Sequence, residues 1–417
     1  MSRETQEQVG AAMKEMAALF SPGHVEALRE LGHDFLEGRR EGSLLWDTQG
    51  RRFIDCSSGS ATFNLGRAAA PVLAELRKAM RETDQGNFPM ISTEKADLAR
   101  ALAEFTPGHL GCVVFSVHRG ETVEFACKLA RGVTGRQELL TFDGGHFGET
   151  GFALSLSERD DRDDFEPLMP GIRVLPFGDE AAIAESITER TAAVIVEPLQ
   201  AENHCRRVEE RTLRLLRRRC TRKGAALILD ETQTGLGRTG RRFACEHAGV
   251  VPDALILGEA LGAGVFPIAA TVFTPQLNLF LNEHPLIHLS TFGGSDLGCR
   301  VAARALELYR SEQPWIAAER IGGFLRTGLQ RIAQARPGVI RSVAGLGLLL
   351  SLDLRTPERA RTYCREAASR GVLVVPGRVA RHTVVLRPSL TISEDEVSET
   401  VEALAAVAGG LASQGDG

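Results

Sequence analysis

Long apolar runs are missing from this chain of 417 residues. Nowhere do eighteen apolar residues follow one another, so hydropathy gives no membrane-spanning helix and no membrane partner is expected. The N-terminus, MSRETQEQVGAAMKEMAALF, carries acidic residues and lacks the apolar core of a cleavable leader, so a cytoplasmic location is expected. A charge excess of one sign is also missing. Lys+Arg 49 against Asp+Glu 54 leaves a net charge of -5 with the signs interspersed. No broad basic field is available to hold a phosphate backbone, and nucleic acid is not an expected partner. The eight cysteines (56, 112, 127, 205, 220, 245, 299, 364) have no C-x-x-C spacing, which excludes a zinc cluster or disulfide framework of recognisable pattern. They read as reduced, mostly buried thiols. Repeats, low-complexity stretches and Pro/Ser linkers are absent, so the parts of the chain are expected to pack rigidly.

What is present is a recurring short apolar run. CVVFSV (112–117), ELLTFD (138–143), AAVIVEP (192–198), AALILDE (225–231) and DALILGE (253–259) are separated by helical segments or long connections. Runs apolar on both faces that alternate with helices indicate a parallel sheet covered on both sides, an α/β architecture. Before them, GSLLWDTQGRRFIDCSSG has the pattern of a hairpin. After them, strands alternate more strictly, and Ser393 before Glu394, Asp395 and Glu396 caps a final helix. The expected organisation is an N-terminal helical and irregular segment (1–45), a large α/β domain with a mostly parallel sheet (46–299), and a smaller α+β domain (300–417). The arginine-rich RRVEERTLRLLRRRCTRK is interrupted by Leu213, Leu215 and Leu216, as in an amphipathic helix with a charged outer face.

The stretch DALILGEALGAG, Asp253 to Gly264, places a carboxylate, Glu259, where a buried strand gives way to a glycine bend. Strand ends of this kind aim side chains into a crevice at the sheet edge. Asp230 ends the preceding strand. Two carboxylates on neighbouring strand ends repel, so one of them should hold its proton more tightly unless a cation stands between them. Such a pair suits general acid/base work; the alternative is a structural network in which Arg119 or His146 neutralises Glu259.

Together LILDETQTGLGRTGRRFACEHAGVVPDALILGEALGAG, AVIVEPLQAE, LSTFGGSDLGC and GVLVVPG…VVLRPSLTISEDE resemble the class III aminotransferases of the ornithine and putrescine type. These use pyridoxal phosphate (PLP) on the fold-type I scaffold. The resemblance runs from about residue 40 to the end, and it implies a homodimer with pockets shared between subunits. Matched to the family's motifs, Asp230 takes the place of the carboxylate at the pyridine nitrogen and Gln233 that of its neighbour at the cofactor oxygen. Thr291 takes the place of the threonine that reaches the other subunit's phosphate. Glu202 and Arg387 match a salt-bridged pair that gates substrate carboxylates.

The departures cluster. Glu259 falls on the position of the Schiff-base lysine, and a carboxylate cannot form an imine. In the phosphate cup, VHRGE puts His118 and Arg119 where a small hydroxyl and a glycine are usual, with Gly120 one position late. In GGHFGET, His146 replaces the ring-stacking aromatic, and Phe147 takes the usual place of histidine. Thr232 replaces an apolar residue on the opposite ring face. This concentration favours a pocket rebuilt for acid/base chemistry, such as cyclisation, dehydration, isomerisation or hydrolysis of a small polar metabolite in biosynthesis. Glu259, His146, Asp230 and His118 are its candidate catalytic groups. Arg387, Glu202 and Thr232 would contact substrate, and Arg387 and Arg119 would orient its carboxylate or phosphate. On this reading no cofactor is expected. The first alternative is PLP or its amine form, PMP, held without a covalent bond by Asp230, Gln233, Thr291, Arg119 and Gly120. The second is a non-catalytic binding relative. No metal is expected, because His118, His146, His204, Asp230 and Glu259 lack ligand spacing.

Overall fold

All five apolar runs become strands of one sheet in the computed structural model, which describes residues 3–87 and 89–413. The outermost residues of the expected terminal segments, 1–2 and 414–417, lie outside the described residues. The sheet has seven strands: β1 (Cys112–Ser116), β2 (Glu138–Phe142), β3 (Ile172–Leu175), β4 (Thr191–Val196), β5 (Ala226–Asp230), β6 (Ala254–Leu257) and β7 (Ala269–Phe273). Their order is β1-β7-β6-β5-β4-β2-β3. The pairings β6·β5, β5·β4, β4·β2 and β2·β3 are parallel, and β7 is inserted antiparallel between β6 and β1. Like β6 beside it, β7 is buried along its whole length, so its AATVF segment carries no alternation that would betray its direction.

Strands β4, β5 and β6 are buried at every position. Each branched side chain there contributes roughly 1.5–3 kcal/mol on leaving water. Because β1, β2, β4, β5 and β6 all run the same way, their carboxyl ends share one edge of the sheet. Side chains that follow those strands therefore converge there, however far apart they lie in the sequence.

The hairpin forms as Leu44–Asp47 against Arg52–Asp55, with Glu37–Glu41 on its outer side. Its inner strand pairs in parallel with Val372–Leu373, so the N-terminal region shares a sheet with the C-terminal region. The boundary at residue 46 therefore cuts through a sheet. The boundary at 299 falls inside the helix Asp296–Glu312, which packs on the helices Ala70–Glu82 and Thr93–Phe105. A second antiparallel sheet joins Ser342–Leu346, Leu349–Asp353, Thr383–Leu386 and Val375–Pro376. The last helix, Glu394–Ser413, starts as expected: Glu396 N donates to Ser393 Oγ at 3.2 Å, and Ser393 N donates to Glu396 Oε2 at 2.7 Å. The arginine-rich segment is the helix Glu210–Lys223, which buries Leu213, Leu216 and Cys220. Among the described residues no helix is long and apolar enough to cross a membrane, and the eight cysteines are free thiols, all but Cys112 buried.

Candidate active site

The carboxyl edge of the sheet opens into a cavity of about 520 Å³ whose wall includes Arg119, His146, Glu202, Thr232, Gln233 and Glu259. They arrive from five strand ends. Arg119 begins the helix Arg119–Thr134 after β1, and His146 lies in the turn after β2. Glu202 comes from the segment after β4, Thr232 and Gln233 from just past β5, and Glu259 from two residues past β6. β5 and β6 lie side by side with Asp230 opposite Ile256.

A cation does pair with Asp230, but the carboxyl that shares it is Glu197 and not Glu259. Arg119 Nε and Nη2 donate to Asp230 Oδ2 at 2.9 and 2.8 Å, and Nη2 also donates to Glu197 Oε1 at 2.9 Å. Asp230 Oδ1 accepts from Thr232 N at 2.9 Å. Burial works against the Arg119 charge, but Asp230 and Glu197 outweigh it and hold the guanidinium protonated. Asp230 is buried and is not itself part of the cavity wall; Arg119 is. The guanidinium thus screens Asp230 from the cavity. Glu259 meets Arg119 elsewhere, since its Oε1 accepts from the Arg119 backbone N at 3.0 Å. A carboxylate there sits on the first peptide N–H at the positive end of a 16-residue helix, a favourable place for an anion.

Glu197, which the sequence reading passed over, completes the cluster. Burial, opposed by Arg119 and reinforced by Asp230, pushes its carboxyl up to about 8. Its Oε2 accepts from His146 N at 2.9 Å. Burial and the neighbouring Arg119 push His146 down to about 3, so its imidazole is neutral at pH 7. Glu197 follows AAVIV as Asp230 follows ALIL, so the strand-end logic that selects Asp230 applies to it equally.

A second buried network forms another part of the wall. Arg387 Nη1 donates to Glu202 Oε1 at 2.7 Å and to Gln233 Oε1 at 2.6 Å, and its Nη2 donates to Ser60 Oγ at 3.1 Å. Gln233 Nε2 donates to Glu202 Oε1 at 3.1 Å. Burial disfavours the Glu202 charge, but Arg387 beside it brings the carboxyl down to about 2. Arg387 is fully buried behind Glu202 and outside the cavity wall. Ser58, Ser60 and Ala61 have φ of 43°, 58° and 75°. Left-handed backbone at such residues costs about 1–3 kcal/mol each and concentrates at functional sites. Ser60 and Thr62, with Glu149, Arg378 and Gly264 to Pro267, are wall residues the sequence did not single out.

The other expected residues are distributed as follows. His118 is exposed, precedes the helix without a side-chain cap bond, and is not part of the wall. Gly120 is buried in the first turn, where a side chain would press on the Thr150 hydroxyl. Thr291 lies on an exposed loop beside exposed Leu286, Ile287, Leu289 and Phe292. Thr232 Oγ1 is buried at the cavity with no hydrogen-bond partner, and its methyl group leaves no space for a side chain on Gly258.

The aminotransferase class III family model matches residues 31–408. This chain belongs to the class III aminotransferases. An uncharacterized aminotransferase of Archaeoglobus fulgidus is 37% identical over 385 residues, covering 92% of this chain and 91% of that one. A putrescine aminotransferase of Pectobacterium atrosepticum is 36% identical over 398 residues, covering 92% and 85%. Among solved structures, the ornithine aminotransferase of Toxoplasma gondii superposes with a TM-score of 0.86 at 27% identity, covering 91% and 92% of the two chains. An amine transaminase from an uncultivated Pseudomonas species, solved with PLP bound, gives 0.83 at 26% identity, covering 89% and 94%.

These relationships correct the expectation of a cofactor-free site: the family is PLP-dependent, and its solved members include a PLP-bound one. Physical grounds for the correction lie in the donor set, which fits a pyridoxal cofactor. Asp230 is a buried carboxylate at a strand end, the helix Arg119–Thr134 turns its N-terminus to the cavity, and the Thr232 hydroxyl lacks a partner. Both anchor groups are engaged by the chain's own side chains, Asp230 by Arg119 and the helix N-terminus by Glu259. A covalent anchor is not in the wall. The chain's five lysines, Lys14, Lys78, Lys95, Lys128 and Lys223, all lie outside it.

Proposed function

We propose that this aminotransferase holds PLP or PMP without a covalent bond and uses its own acids and bases on a small polar metabolite that carries a carboxylate or phosphate. The observation that carries this reading is a cavity with the cofactor's donor set and no lysine in its wall. When bound, the cofactor supplies an electron sink for charge that develops on a substrate carbon next to nitrogen. Asp230 would hold the ring nitrogen, and the first turn of the Arg119–Thr134 helix would hold the phosphate. Glu259, which cannot form an imine, takes or returns a proton at the reacting carbon. Neutral His146 has one ring nitrogen free to accept a proton and one N–H to donate. Arg387 serves a substrate carboxylate once Glu202 gives way.

Without a lysine nucleophile the chain does not run an ordinary transamination cycle. A homodimer in the cytoplasm accompanies this reading, supported by Thr291 and the exposed apolar side chains around it. The test is titration of the purified protein with PLP and PMP, followed by absorbance, then borohydride treatment and mass spectrometry. Saturable binding lost on dialysis, with no modified lysine, is the expected result. Absence of binding at millimolar cofactor overturns the cofactor reading, and a borohydride-trapped lysine overturns the non-covalent one.

A further inference from the structure

The cavity already contains the two charges that a pyridoxal cofactor would bring. A cation, the Arg119 guanidinium, rests on Asp230 Oδ2 through two hydrogen bonds of 2.9 and 2.8 Å. An anion, the Glu259 carboxylate, rests on the first backbone N–H of the Arg119–Thr134 helix at 3.0 Å. A pyridinium nitrogen has the charge of the first and a phosphate the charge of the second. The first contact is not that of a solvated surface pair, since Asp230 is 1% exposed and Arg119 8%, and Glu259 is half-buried at the cavity wall.

We propose that Arg119 and Glu259 form an internal plug, and that cofactor uptake is an exchange of ions in which both side chains give up these contacts. The inference rests on the cofactor-binding reading above. Asp230 has one oxygen facing Arg119 and the other held by Thr232 N, so a ring nitrogen reaches it only where the guanidinium now lies. Like charges cannot share the helix N-terminus, so a phosphate reaches it only when the Glu259 carboxylate leaves. The exchange conserves charge. Asp230 trades one cation for another, and the helix trades one anion for another. Glu197 retains one Arg119 hydrogen bond of its own, a pivot on which the guanidinium turns away from Asp230. The released Glu259 carboxylate then faces the cavity, where a cofactor bearing an ammonium is a better partner than one bearing an aldehyde. The plug therefore favours PMP over PLP.

The experiment compares wild type, Glu259→Gln and Glu259→Ala by isothermal titration with PMP and with PLP, and by thermal shift with inorganic phosphate alone. Glu259→Gln keeps the shape and replaces a charge-assisted hydrogen bond with a neutral one of about half the strength. The expected result is PMP binding about tenfold tighter in both variants than in wild type, with the wild-type preference for PMP over PLP reduced. Inorganic phosphate is expected to raise the melting temperature of the variants and not that of wild type. PMP affinity unchanged or weakened in both variants overturns the plug and leaves the cofactor reading standing, as does equal phosphate stabilisation of all three proteins. Failure of every protein to bind PMP or PLP at millimolar concentration overturns the cofactor reading and this inference with it.

Discussion

Two buried arginines in this molecule are paired in opposite ways. Arg238 is fully buried and holds only neutral oxygens: the Leu348 and Pro388 carbonyls and Asn64 Oδ1. With no carboxylate to offset it, burial brings Arg238 down to about 9. Arg119 has two carboxylates and is held protonated by them. Arg238 ties Asn64 to the Leu348 and Pro388 segments of the smaller sheet region, and its partners have no charge to exchange. The contacts of Arg119 are ionic, adjoin a cavity, and can be replaced by a ligand of the same charge. Burial by itself therefore does not mark a functional arginine; the charge of its partners does.

Substitution of each arginine by methionine breaks the comparison if the two respond alike. Arg119→Met strands two buried carboxylates and is expected to cost about 3–5 kcal/mol near pH 8. Acid should restore part of that loss as Glu197 takes up a proton. Arg238→Met strands carbonyl oxygens and is expected to cost about 2–4 kcal/mol, with no recovery in acid. Urea denaturation at pH 5 and pH 8 measures both. Equal acid recovery would show that the partners' charge is not what separates them.

A smaller effect sharpens the account of Glu197. Its folded-state carboxyl, near 8, binds a proton more tightly than the unfolded one, near 4.5. The stabilisation is fully present below about 4.5 and is lost as pH rises through 8. His146 works in the other direction. Its folded value, near 3, lies below its unfolded value of 6.5, so its contribution falls as pH drops through that window. Stability should therefore be greatest around pH 5 to 6, where the two contributions cancel, and decline from about pH 6.5 toward 8 by at most about 1.4 kcal/mol per pH unit. Glu197→Gln should flatten the alkaline side alone, and an unchanged slope in that variant would move the titration to another group. The smallest effect is at Thr232. With no partner for its hydroxyl in the cofactor-free chain, Thr232→Val should change stability by less than about 0.5 kcal/mol while weakening PMP binding in the same titration. A large stability loss would mean that the hydroxyl is already satisfied.

Much of the fold was legible because burial on both faces leaves unbroken apolar runs. β1, β2, β4, β5 and β6 were readable in this way, as was the Ser393 cap, which depends on residues three apart. β7 was not, since a strand buried on both faces looks the same whichever way it runs. The link between the hairpin and Val372–Leu373 was hidden too, because pairing across more than 300 residues leaves no local mark. In the site, Asp230 and Glu259 could be named from strand ends, and Glu202 with Arg387 from motif resemblance. The strained Ser58–Ala61 segment gave no signal beyond a run of small residues.

The sequence by itself determined which charged groups stand at the carboxyl edge of the sheet, because strand ends and helix starts follow from local pattern. It also determined that no lysine follows β6, which limits the covalent chemistry open to the pocket. Only the tertiary structure decided which charge meets which. Arg119 reaches across 111 residues to Asp230, and its own backbone N–H receives Glu259 from 140 residues away. Ion pairing depends on separations of a few ångströms and on exclusion of water, and neither exists until the strands lie side by side.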